Sequence, residues 1–356
     1  MRSTADIVII GGGIIGLATA FYLARGKQGS IVLVEKEPLF GAGSTSKAAG
    51  GIRAQFTSRV NIEMSMLSEE VFARFEDETG FPALFDQVGY MFLLSDENDI
   101  AVFRKACQLQ RELGLKVDLL ESDEIAKYAP HVRLDDIKLA TFCQDDGLGD
   151  PNEFLAGYER AARKMGVELC LDTEVTGLDC ENGQIVRVRT SQGDIATNMV
   201  VNAAGPWAAV IARMAGARLH VEPFARQCVT TGELDFVKPD FPMVVDVSSG
   251  LYCHKESKGM LLGWANKSAS PTFDISVLPD YTDSILEKAL DRIPQLETAE
   301  VANVWTGLYE TTPDHRAIIG LETTVKGLLH LNGFSGHGFM HAPAAGIIAA
   351  DIIAGR

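Results

Sequence analysis

No CxxC pair and no metal-ligand spacing occurs in this sequence; its six cysteines, at 107, 143, 170, 180, 228 and 253, stand singly. That excludes a zinc-finger or disulfide-framed scaffold and predicts reduced, mostly buried thiols in a cytoplasmic protein. Long apolar runs are also missing. The one extended apolar stretch lies between Asp6 and Glu35 and is broken by Gly11, Gly12 and Gly13, so no transmembrane segment is expected, and no signal-peptide pattern precedes Asp6. Basic charge is scarce, 32 Lys and Arg against 48 Asp and Glu, a net charge of −16. Such a field repels nucleic acid and anionic membrane, so no nucleic-acid partner is expected, and an anionic substrate needs a local basic site. Histidine is absent around the acidic stretch 142–151 (FCQDDGLGDP), which therefore reads as a solvated loop, and no metal is expected. Repeats, low-complexity tracts and polar linkers are lacking too. With 356 residues, enough for about two domains, the domains are expected to interleave along the chain.

What is present begins at residue 6. Residues 7–10 are a fully apolar run suited to a strand buried on both faces. Gly11-x-Gly13-x-x-Gly16 follows, then a helix over 14–25 and a second strand over 30–34 ending at Glu35. The glycines give a tight turn, backbone approach to a pyrophosphate and close helix packing, while the first helical amides, at Ile14 and Ile15, face the phosphates. Glu35 stands where a carboxylate accepts hydrogen bonds from an adenosine ribose. Lys36 is placed to touch a 2′-phosphate, but Glu35 beside it repels one, so NADP fits least; FAD and NAD remain open on this unit alone.

The next stretch, 38–56, is rich in glycine and hydroxyls, and Ser44, Thr45, Ser46 and Gly51 offer amides and hydroxyls to a cofactor. Arg53 is the nearest cation for an anionic substrate. Helices are expected over 58–78, 96–115, 122–128, 152–165 and 284–292, with strands over 87–95 and in the segments 167–171, 173–179, 184–190 and 193–197. Residues 199–208 (MVVNAAGPWA) form another buried strand ending in small residues, and Val175, Ala203, Gly205 and Trp207 join the expected cofactor contacts. Short alternating runs at 227–233, 243–247, 250–254 and 260–264 predict a mainly antiparallel sheet. After strands at 317–320 and 328–332, Gly333, Ser335, Gly336, His337, Gly338 and Phe339 form a glycine loop opening a helix, where amides favour negative charge.

The sequence resembles the D-amino-acid oxidase superfamily of flavoproteins, in its sarcosine oxidase, glycine oxidase and proline dehydrogenase branch. The matching motifs are GGGIIG with Glu35, GIRAQF around Arg53, VVNAAGPWA, GLYETTPDH and GFSGHGF, in order over nearly the whole chain. The resemblance implies FAD rather than NAD. It implies an α/β fold in which a Rossmann-like FAD-binding domain (1–80, 145–220 and 303–356) interleaves with an α+β substrate domain (81–144 and 221–302) built on a mainly antiparallel β-sheet. The implied reaction oxidises the C–N bond of a small amino acid, a secondary amine such as sarcosine or proline, by hydride transfer to flavin N5, giving an imine that water hydrolyses. In that scheme Arg53 binds the substrate carboxylate, Tyr309 lines the amine pocket, Gly336 and His337 lie beside the flavin, and His337 is either a general base or a histidine ordered by packing. Tyr252 is a candidate pocket lid.

Three positions depart from the family pattern. Gly307 stands where sarcosine oxidase carries a cysteine linked to its flavin, implying non-covalent FAD. Met340 replaces a carboxylate-binding lysine. Leu261 replaces the lysine credited with activating oxygen, with Lys258 nearby; this favours a dehydrogenase passing electrons to a quinone or partner subunit over an oxidase. The alternative is a flavin-binding or electron-transfer subunit of a larger complex, without turnover of its own.

Overall fold

The computed structural model describes residues 1–266 and 268–356. Its first layer is a six-stranded sheet. In spatial order the strands are Ile318–Leu321, Leu328–Asn332, Val200–Asn202, Ile7–Ile10, Ile31–Val34 and Glu168–Cys170. All neighbours are parallel except Ile318–Leu321 against Leu328–Asn332. Period-2 alternation splits the central strands between two cores. Ile7, Ile9, Leu33 and Val201 face the helices Ile14–Arg25, Pro151–Lys164 and Gly338–Ile353. Val8, Ile10, Val32 and Val200 face the small Val175–Glu181 and Gln184–Thr190 hairpin and the helix Ala208–Met214. With both faces covered, every residue of the first two strands is apolar and buried, as the opening run requires.

The glycine turn is forced by packing. Gly11 has φ +111°, and a Cβ there would run into the carbonyl of Ala203. A Cβ on Gly16 would strike the carbonyl of Gly11. The helix thereby sits directly on the strand, its N-terminus aimed past the carboxyl edge of the sheet.

The second layer is an eight-stranded sheet ordered Val301–Thr311, Glu222–Thr231, Gly259–Trp264, Leu251–Glu256, Met243–Asp246, Tyr90–Leu94, Leu139–Cys143 and Val117–Leu120. One pairing, Tyr90–Leu94 with Met243–Asp246, is parallel and the rest are antiparallel. Its register gives each face one character. Phe224 pairs with Tyr309, Arg226 with Gly307, Tyr252 with Gly263, Val245 with Tyr252 and with Phe92, and Met243 with Tyr90. Directly paired residues share a face, so this face is aromatic with one cation. The opposite face, with Met91, Leu93, Val229, Val244 and Leu262, packs against Ile285 and Ala289 of the helix Pro279–Arg292.

Three expectations fail here. The strand Glu222–Thr231 begins five positions before the predicted run, and Val301–Thr311 was not expected as a strand at all. Pro223 and the Gly and Pro punctuation of GLYETTP mask both; Pro223 is tolerated because it lies next to the strand start. The stretch 142–151 is not a solvated loop. Asp145 is half-buried and Asp150 caps the helix Pro151–Lys164, but Asp146 is fully buried. All six cysteines are free, and Cys107, Cys143, Cys228 and Cys253 are buried. No helix is long and apolar enough to cross a membrane among the described residues.

Candidate functional site

Between the carboxyl edge of the parallel sheet and the aromatic face of the large sheet lies a cavity of about 1490 Å³. That exceeds the roughly 300–1,000 Å³ of an ordinary small-molecule pocket and suits an extended cofactor with a small substrate. Strand ends contribute lining residues to it after Ile10, Val34, Cys170, Asn202 and Asn332, the location where open α/β sheets bind ligands.

At the dinucleotide end, Gly11, Gly13, Ile14, Ile15, Glu35 and Lys36 line the wall. The Glu35 carboxylate accepts from the Gly12 amide at 2.6 Å and the Glu37 amide at 3.0 Å, which fixes it at the loop while leaving lone pairs for hydroxyls. The Thr45 hydroxyl accepts from the Ile14 amide at 3.1 Å. Lys36 Nζ lies 3.7 Å from the centre of the Trp207 ring, a cation–π contact, and Trp207 stacks on Phe273 at 5.5 Å. Ser44, Gly51, Val175, Ala203 and Gly205 also line the cavity, as do Ser335, Gly336, Gly338 and Phe339 at the far end. A Cβ on Gly205 would meet nothing within 4 Å, so this turn is open toward the cavity side. Gly16, Ser46 and Gly333 are not on the wall: Gly16 packs helix to strand, Ser46 is exposed, and Gly333 sits against Thr312.

Arg53, Tyr252, Tyr309 and His337 converge on the other end. The Arg53 guanidinium lies 3.9 Å from the ring centre of Phe56 and 5.2 Å from that of Phe92. It donates to the Gln55 carbonyl and, from Nη2, to His337 Nε2 at 3.3 Å. A guanidinium only donates, so this nitrogen of His337 carries the lone pair. Burial, then the charge of Arg53, hold the imidazole well below its ordinary pKa. His337 is therefore neutral with its lone pair engaged, which suits an orienting group better than a base. Tyr252 belongs to the sheet that floors the cavity and is not a lid; its ring fills the space where a Cβ of Gly263 would stand. Burial pushes the Tyr309 hydroxyl up to about 12, so it is a neutral donor at physiological pH.

A buried polar network holds the backbone under Arg53. Asp146 accepts from the Ala54 amide at 3.0 Å and from Gln55 Nε2 at 2.9 Å, Gln55 Nε2 also reaches the Tyr90 carbonyl at 2.8 Å, and Thr141 donates to Gln55 Oε1 at 2.8 Å. Glu69 adjoins Asp146, and burial followed by the charge of Asp146 raises its pKa strongly above the ordinary 4.5. Glu69 is thus the neutral member of the pair. A carboxyl with a raised folded pKa contributes stability that is full below its unfolded pKa and is lost as pH rises toward the folded value. Stability should therefore fall between pH 6 and 9 by up to about 1.4 kcal/mol per pH unit from this group. Glu69→Gln, which mimics the neutral acid, should flatten that decline; parallel urea midpoints of the two proteins across the range would contradict it.

Residues that sequence reasoning missed include Tyr90, Phe92, Phe224, Arg226, Lys47 and Glu310, all on the cavity wall. Lys47 Nζ donates to the Ala42 carbonyl at 3.2 Å, and its Cβ faces Gly307. Burial raises Glu310 to about 7. The alternation Glu222, Phe224, Arg226, Cys228 was the available signal for one face of a strand. Met340 does line the cavity, whereas Leu261, on the same sheet face as Tyr252, is buried and does not line it, and Lys258 is a surface residue paired with Glu233 at 3.1 Å.

Comparison with known proteins places this geometry among relatives. The family model DAO, FAD dependent oxidoreductase, matches residues 6–352. FAD-dependent oxidoreductase domain-containing protein 1 of Xenopus laevis is 29% identical, covering 98% of this chain and 79% of its own. Mitochondrial sarcosine dehydrogenase of Mus musculus is 28% identical over all of this chain, which spans 40% of that protein. The crystal structure of L-proline dehydrogenase from P. horikoshii superposes with a TM-score of 0.93 at 32% identity, covering 99% of this chain and 94% of the other.

Proposed function

The chain belongs to the DAO family of FAD-dependent oxidoreductases, and from that premise we propose that it oxidises the C–N bond of a small amino acid, a secondary amine such as proline or sarcosine, to the imine. The observation that carries this is the meeting of Arg53, held by His337 and Gln55, with Tyr309 at the end of the cavity opposite the dinucleotide loop. The residues fit FAD: the Ile15 amide at the helix N-terminus would take the pyrophosphate, with the Ile14 amide engaged by Thr45, Glu35 would take the ribose, and the 334–339 loop the flavin ring, while Gly307 offers no nucleophile for a covalent link. Cys228 also lines the cavity, but burial lifts its thiol to about 11, so it too is unreactive. When bound, FAD supplies the two-electron acceptor.

Arg53 binds the substrate carboxylate and fixes the amine-bearing carbon, which is the protein's main task in such a reaction. Tyr309 and Tyr252 shield the amine from water, and His337 orients Arg53. We place the FAD-binding role in residues 1–80, 145–220 and 303–356 and substrate recognition in 81–144 and 221–302, with the strand Val301–Thr311 shared through its pairing with Glu222–Thr231.

Electron delivery to a quinone or partner subunit fits the dehydrogenase names of the proline and sarcosine relatives. Lys47 on the cavity wall favours the second reading, an oxidase, because a cation near the cofactor stabilises reduced oxygen. Anaerobic mixing of the holoenzyme with a panel of primary and secondary amino acids tests the activity: bleaching of the oxidised flavin is expected with a secondary amine acid, and no bleaching by any amino acid would sink the proposal. Reoxidation should be faster with a quinone dye than with air, and acid precipitation should leave the flavin in the supernatant.

A further inference from the structure

The cavity holds a second arginine that the proposed reaction does not use. Arg226 projects from Glu222–Thr231 on the aromatic face, between Phe224 and Cys228, with its Cζ 5.4 Å from the ring centre of Tyr309 and 5.8 Å from that of Phe224. Tyr309 thus lies next to it, while Arg53 approaches the same pocket from the Phe92 side. Among the described residues the Arg226 guanidinium has one hydrogen-bond partner, the adjacent Ala225 carbonyl, which Nη1 reaches at 2.9 Å, and the buried Nε has none. No carboxylate lies within 4.0 Å of either Arg53 or Arg226 among the described residues. In a protein of net charge −16, two arginines on one cavity wall without a carboxylate leave their charge available to an anionic ligand. A ligand with two acidic groups supplies a countercharge to each.

The geometry points to a substrate with two acidic groups, one held by Arg53 and the other by Arg226 on the far side of Tyr309: an amino acid bearing a second carboxylate. This rests on the amine-oxidation reading of the same site. A planar fork matches a carboxylate in two-point contact, which a lysine at this place would not do.

Thioethers, in which sulfur replaces the amine so that no turnover occurs, separate this proposal from the activity itself. Methylthioacetate carries one carboxylate; thiodiglycolate and 3-(carboxymethylthio)propanoate carry two, the second one or two methylenes beyond the sulfur. Titrated into the holoenzyme and followed by perturbation of the flavin spectrum, at least one of the dicarboxylates should bind about 10-fold or more tighter than methylthioacetate. Arg226→Met should erase that advantage and leave methylthioacetate within about 2-fold, which also shows that the variant is folded; Arg53→Met should weaken all three. Equal binding of the mono- and dicarboxylates by the unaltered protein, an advantage that survives in Arg226→Met, or no perturbation by any of them would overturn the proposal. Failure of amino acids to bleach the flavin while the dicarboxylate preference holds would count against the oxidation reaction and not against Arg226.

Discussion

Arg53→Met should weaken a carboxylate-bearing substrate by about 2–5 kcal/mol, the usual cost of truncating one partner of a buried charge-assisted pair, or roughly 30-fold to 5,000-fold in apparent affinity. Methionine keeps most of the length and apolar body that packs on Phe56, so the loss reports the charge and its fork. The effect should concentrate in KM, with the reduction rate at saturation falling less, because the orienting contact is made in the ground state as well. A second readout follows from His337. Arg53 is one of the charges that hold this imidazole below its ordinary pKa, so its removal should move the histidine's titration upward, toward the neutral range. An amine without a carboxylate should react with both proteins alike. Unchanged affinity for carboxylate substrates would take Arg53 out of the site.

The opening strand, glycine loop and helix could be read from the sequence because their constraints are local. Four apolar residues, three glycines at fixed offsets and an acid at the next strand end are all set by backbone contacts within 35 positions. The helix Ile14–Arg25 accordingly has its predicted bounds. Arg53 was legible for a related reason, lying in the glycine-rich stretch beside that unit, although Lys47 in the same stretch also reaches the cavity wall and was passed over. Arg226 was not, because its meaning comes from register: it faces the cavity only because it pairs with Gly307 some 80 positions later, within a strand that the sequence does not mark. Asp146 was misread on the same grounds. Beside Asp145 in a turn-rich run it looks solvated, yet its carboxylate closes the turn under Arg53 from more than 90 residues away.

The last expected effect concerns the back of the sheet that floors the site. Arg292, at the end of the helix Pro279–Arg292, is 3% exposed and forks onto Asp136 at 2.8 and 3.0 Å while reaching Asp246, itself 3% exposed, at 2.8 Å. Arg292→Met should cost about 3–5 kcal/mol, because it leaves Asp246 buried without its countercharge. Burial alone would raise Asp246, but the Ser249 and Ser248 hydroxyls and Arg292 hold it below its ordinary 3.8; hydrogen bonding by Arg292 likewise lowers Asp136. A carboxyl with a depressed folded pKa contributes stability that is present above the unfolded value and lost as pH falls through the folded one. The triad therefore acts in full at pH 7 and fails only below about pH 4, where carboxylates take up protons. The variant should accordingly differ most from the unaltered protein at neutral pH and converge with it in acid. Combining Arg292→Met with Asp246→Leu should recover much of the loss, since a buried pair replaced by apolar groups is often neutral. Because Asp246 ends the strand whose Met243 and Val245 face the cavity, the single variant should also loosen substrate binding before it unfolds. A cost below about 1 kcal/mol in urea titration at pH 7 would mean that water reaches this triad, and that the sheet behind the site is held by its apolar face alone.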